Sequence, residues 1–117
     1  MNIEAFRTYC LSKKQVSESF PFDEHILVVK VGDKVFALTG LDQFPPAYNL
    51  KCDPERAITL RETYTCITPG YHMNKKHWNT ISIAPSLPPQ LMETLIDHSY
   101  DLVVKGMTKK QQAALGL

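Results

Sequence analysis

Two apolar, β-branched runs, Ile26-Leu-Val-Val-Lys-Val31 and Lys34-Val-Phe-Ala-Leu-Thr39, are separated by Gly32-Asp33 alone. A two-residue connection of this type closes as a tight turn between antiparallel neighbours, so the spacing predicts a β-hairpin. That hairpin restricts the rest of the chain. Strands and helices are segregated around it, with no strand–helix–strand alternation and no glycine-rich phosphate loop. The predicted class is therefore α+β, a single domain over residues 1–117 with an antiparallel sheet backed by helices.

The flanking elements follow from caps and periodicity. Asn2 is suited to cap a helix over 3–13, which places Ile3, Phe6, Cys10 and Leu11 on one face. Ser17-Glu-Ser19 reads as a polar connector leading to Phe20-Pro-Phe22, whose aromatics are expected to cover a core edge. Two prolines make Leu41–Ala47 a surface loop before an extended Tyr48-Asn-Leu-Lys-Cys52. Asp53-Pro54-Glu55 then combines an N-cap, a proline at the first helical position and an acid facing the helix dipole, in a helix running to about Tyr64. Cys66-Ile-Thr68 is a short extended piece. In Trp78–Ile83, alternation sets Trp78, Thr80 and Ser82 on one strand face and Ile81 and Ile83 on the other. A long helix capped near Ser86 or Leu87 carries Leu91, Leu95, Ile96, Leu102 and Val103 to its end at Gly106. Thr108 caps a short final helix.

Composition excludes several classes. The 44% hydrophobic content contains no apolar run long enough for a membrane helix, and the first residues lack a basic leader and an apolar segment, so a cytoplasmic location is expected. Cys10, Cys52 and Cys66 match no paired spacing and read as free buried thiols. A net charge of +1 removes any global attraction to phosphate, so nucleic-acid contact would have to rest on a local patch.

One stretch supplies such a patch: Pro69-Gly-Tyr-His-Met-Asn-Lys-Lys-His-Trp-Asn-Thr80, with two histidines, two lysines and the only tryptophan. Zinc would use His72, His77 and Cys66, but there is no CxxC and no second sulfur pair. Cys66 with His72 lacks an orienting third group for nucleophilic catalysis. Asp97 with Asp101, and Asp53 with Glu55, are explained by helix faces and caps. No enzyme, metal or cofactor is expected. Phosphate contact suits the residue types better: lysines bring charge, Asn and His bring donors, and Tyr71 and Trp78 bring planar faces. A solvated Asn74-Lys75-Lys76 turn beside a core-anchoring Trp78 remains equally compatible with the composition.

Leu50-Lys-Cys-Asp-Pro-Glu55 followed by the Pro69–Thr80 string resembles the MmcQ/YjbR family. Phe20-Pro-Phe22, Lys30-Val-Gly-Asp-Lys-Val-Phe36 and Ser99-Tyr-Asp-Leu-Val103 look like its other signatures, with Asp23 standing where relatives often have glycine. The resemblance implies a CyaY-like fold with double-wing loops, and DNA binding by analogy of fold; it carries no catalytic chemistry. The family string maps onto Tyr71, His72, Asn74, Lys75, Lys76, His77, Trp78 and Asn79, with Lys51 on the preceding strand. The expectation is weak, phosphate-directed DNA binding through residues 71–79 with Lys51, assisted by a secondary basic patch of Lys105, Lys109 and Lys110 if they converge. The alternative is a non-enzymatic small-molecule or protein-binding module that uses the His/Trp/Tyr cluster as a pocket.

Overall fold

The computed structural model describes residues 1–70 and 73–117. Its elements run α1 (Ile3–Leu11), β1 (Val16–Ser19), β2 (Ile26–Val31), β3 (Lys34–Gly40), β4 (Ala47–Lys51), α2 (Pro54–Thr63), β5 (Ile67–Pro69), β6 (Trp78–Ser82), α3 (Pro89–Lys105) and α4 (Lys109–Leu115). The six strands form one antiparallel sheet in the order β1-β2-β3-β4-β6-β5. The α+β class holds. No helix among the described residues is long and apolar enough to cross a membrane.

The hairpin forms as its spacing requires, with Gly32 at φ +57° in the turn. Its register shifts once: Val29 pairs with Ala37, Lys30 pairs with Val35, and Phe36 is the extra residue. Such a bulge breaks the strict in–out alternation, which is why adjacent Phe36 and Ala37 are both fully buried. Leu27, Val29, Tyr48, Leu50 and Ile81 build the sheet side of the core, against Phe6 and Cys10 of α1 and Met92, Leu95 and Ile96 of α3. Phe6 stacks on Tyr48 with ring centroids 4.2 Å apart. Burial of each such large side chain contributes roughly 1.5–3 kcal/mol.

Several expectations are corrected. Helix α1 stops at Leu11, and Leu11 itself is exposed. The polar connector at Ser17–Ser19 is an edge strand; it escaped the hydrophobic pattern because its only apolar residue is Val16, and the bidentate contact of Arg7 with Glu18 ties it to α1. Helix α3 starts at Pro89 with Pro88 at the N-cap, not near Ser86, and no side chain caps it. Phe20 and Phe22 do not cover the core but are exposed, as are Leu41 and Phe44. These loops meet at one end of the sheet, where the amide of Leu41 donates to the His25 carbonyl and His25 Nδ1 lies 2.9 Å from Asp42.

At the opposite end β3 and β4 part company. Their ladder stops at Ala37–Leu50, and the next groups, the Phe36 carbonyl and the Lys51 amide, are bridged by the buried Ser99 hydroxyl of α3. The hydroxyl donates to Phe36 and accepts from Lys51, standing in for the missing ladder bond. Ser99→Ala should orphan both groups and destabilise the fold by roughly 2–6 kcal/mol, at about 1–3 kcal/mol per buried unpaired group. Urea unfolding with an unchanged m-value is the check.

Candidate functional site

The Pro69–Thr80 string leaves the sheet at β5 and returns at β6. Gly70 is needed at its base, because a Cβ there would lie 2.9 Å from Trp78 Cβ, and the Gly70 amide donates to the Trp78 carbonyl. Asn74 then organises a turn: its side-chain oxygen accepts from the Lys76 amide and its carbonyl from the amides of His77 and Trp78. Lys75 and Lys76 stand exposed on that turn.

A third cation fixes the turn from behind. Arg61, in the last turn of α2, donates from Nε to Asn79 Oδ1 at 2.7 Å and from Nη2 to the Lys75 carbonyl, with a longer contact to the Trp78 carbonyl. Asn79 in turn reaches the Ala57 carbonyl one helical turn before Arg61. All of these acceptors are neutral. Among the described residues the ion pairs are Arg7–Glu18, Lys13–Asp97 and His25 with Glu24 and Asp42, and none includes Arg61 or Lys76.

This geometry divides the residues singled out in the sequence. Asn79 is 1% exposed and committed to Arg61, so it belongs to the scaffold and not to an outward donor face. Trp78 is 8% exposed, too enclosed to stack on a base. His77 is half-buried, and its carbonyl accepts from the Cys52 amide, which fastens the turn to the end of β4. Tyr71 and His72 lie outside the described residues. Lys51 is paired across β4–β6 with Trp78, yet it lines a cavity shared with β3 and α3. Lys105 ends α3, while Lys109 and Lys110 are exposed in the first turn of α4. No three of the described His, Cys, Asp and Glu residues gather as a metal cluster. Cys10 is buried, and burial pushes its thiol up to about 12; Cys52 is raised for the same reason.

The sequence pattern gave no hint of Arg61 or of His98. The only trace of the first is that Ala57 and Arg61 share a face of α2. His98 Nε2 accepts the Asp53 amide at 3.1 Å, at the start of the same helix, which requires the neutral ring with its proton on Nδ1. Burial, aided by Arg56 and opposed by Asp53 and Asp101, lowers its pKa below the ordinary 6.5.

Two outcomes follow from these contacts. Arg61→Met should leave the Asn79 oxygen and the Lys75 carbonyl unpaired, cost about 1–3 kcal/mol, and speed amide exchange at residues 76–78. Arg61→Lys, without the planar fork, should restore only part of this. For His98, the unfolded ring takes up its proton before the folded one, so its contribution is complete above pH 6.5 and is lost as pH falls from there toward the folded value. His98→Gln, which keeps an acceptor, should flatten that fall in urea midpoints compared with the wild type.

A family model described as YjbR matches residues 11–102. The chain is 36% identical over 109 residues to the uncharacterized protein YbdF of Escherichia coli O157:H7, covering 93% of this chain and 89% of that one. It is 32% identical to the uncharacterized protein YjbR of Escherichia coli K12, with 98% of each chain covered. Among solved structures, Deinococcus radiodurans protein DR2400, with a domain termed DUF419, superposes with a TM-score of 0.94 at 41% identity, covering 99% of this chain and 88% of that one. A Pseudomonas syringae protein superposes with a TM-score of 0.73 at 28% identity, covering 87% and 98%. The turn braced by Arg61 is thus set in a chain that belongs to the YjbR family.

Proposed function

We propose that this chain is a cytoplasmic, non-enzymatic protein that binds nucleic acid weakly through phosphate, using the turn at residues 74–77. The observation that carries the reading is the brace: a turn displaying Lys75 and Lys76 is held by a third cation, Arg61, through neutral carbonyl and amide oxygens. A carboxylate in the same place would hold the turn equally well and cancel part of its charge. With an arginine there, positive potential accumulates on one small protrusion of a chain whose net charge is only +1.

Lys75 and Lys76 are the phosphate contacts in this reading. Trp78 and Asn79 contribute by fixing the turn, not by touching bases. Two exposed lysines reading a charged backbone give little sequence discrimination. The expected affinity lies in the non-specific range of roughly 10⁻⁴–10⁻⁶ M at physiological salt.

Lys75→Glu combined with Lys76→Glu should weaken binding to every duplex tested. It should also reduce the slope of log K against log salt by roughly two units, about 0.9 for each phosphate that is no longer neutralised. Fluorescence anisotropy across a salt series measures both quantities. An unchanged slope would remove these lysines from the interface.

A further inference from the structure

Where β3 and β4 separate beyond Ala37–Leu50, the space below the Ser99 bridge is not filled. A cavity of about 250 Å³ opens there, lined by Lys34 and Val35 of β3, Lys51 of β4, and Val103, Gly106 and Met107 at the end of α3. Its two ionisable lining residues are both lysines, and neither belongs to an ion pair among the described residues. A second cavity of about 190 Å³ adjoins it through the shared Lys34 and Met107. Gly32, Asp33, Gln111, Ala114 and Leu115 complete its mainly apolar wall, with Asp33 as the one acid. Together the cavities reach the lower part of the roughly 300–1,000 Å³ range of small-molecule sites.

The end of α3 would ordinarily repel an anion through its exposed carbonyls. Here two of the last-turn carbonyls are occupied. Leu102 accepts from the Gly106 amide, and the Gln112 side chain of α4 donates to the carbonyls of both Val104 and Met107. With that end partly covered, Lys34 and Lys51 are the charged side chains that line the larger cavity.

We infer that this notch is a binding site for a small organic phosphate with an apolar group, the phosphate held between Lys34 and Lys51 and the apolar part lying toward Met107, Ala114 and Leu115. Lysine suits a phosphate as a compact charge that needs no planar, two-pronged match. Neither cavity is lined by a residue of the 74–77 turn, and the ligand is a free small molecule instead of a polymer.

Hexyl phosphate, inorganic phosphate and 1-hexanol, titrated singly into the ¹⁵N-labelled full chain, separate the possibilities. Hexyl phosphate should give saturable amide shifts at Lys34, Val35, Lys51, Gly106, Met107 and Leu115, and bind more tightly than either fragment. Lys34→Ala with Lys51→Ala should weaken it by about tenfold or more, as removal of two charge-assisted donors predicts. Ala114→Trp, which fills the apolar cavity, should bring its affinity down to that of inorganic phosphate. Melting temperatures of both variants establish that they fold, and Lys34→Ala alone supplies the same comparison if the double variant does not. Absence of saturable shifts at the notch, or shifts confined to residues 74–77, overturns the proposal. The two readings fail independently: Lys75→Glu with Lys76→Glu should leave hexyl phosphate binding intact, and Lys34→Ala should leave the salt slope for duplex DNA intact.

Discussion

The contact of Arg61 with Asn79 and the Lys75 carbonyl is the interaction on which the proposed activity depends. It joins the last turn of α2 to the first residues of β6 and fixes the backbone that carries two exposed lysines. A guanidinium forks across several acceptors in one plane, which an ammonium cannot do. Since those acceptors are uncharged, the cation stabilises the turn without being neutralised by it. The long signature string thus serves two purposes. The Asn79 side chain is buried and receives the arginine, Trp78 is nearly enclosed, and Lys75 and Lys76 are what the arrangement presents to solvent.

A second constraint shapes the same end of the molecule. The bulge at Phe36 and the end of the β3–β4 ladder leave a gap in mid-sheet, which the Ser99 hydroxyl of α3 bridges from a fully buried position. The closure is partial, and Lys34 and Lys51 border the remainder. The far end differs in character: exposed Phe20, Phe22, Leu41 and Phe44 are carried on loops joined through His25.

Elements defined by local chemistry were legible in the sequence. The Gly32-Asp33 spacing produced the hairpin, Asp53 caps α2, Thr108 caps α4 through a reciprocal bond with Gln111, and the alternation of Trp78–Ile83 assigned its faces correctly. What escaped depends on partners distant in sequence. Strand β1 is polar and exists because β2 pairs with it, so no hydrophobic period announces it. Arg61 and Ser99 look like ordinary helix residues until β6 and the β3–β4 gap are set beside them. Asn79 was read as an outward donor, and Trp78 as either a stacking face or a core anchor, because their types suit nucleic acid; burial decides their role, and burial is a property of the assembled sheet.

The most direct test of the central claim is an amide chemical-shift titration of the full chain with a short DNA duplex at low salt. The account predicts that the largest shifts fall on residues 73–77 and fade as salt is raised. Shifts confined to the aromatic loops at 20–25 and 41–46, or none at any salt concentration, would contradict it.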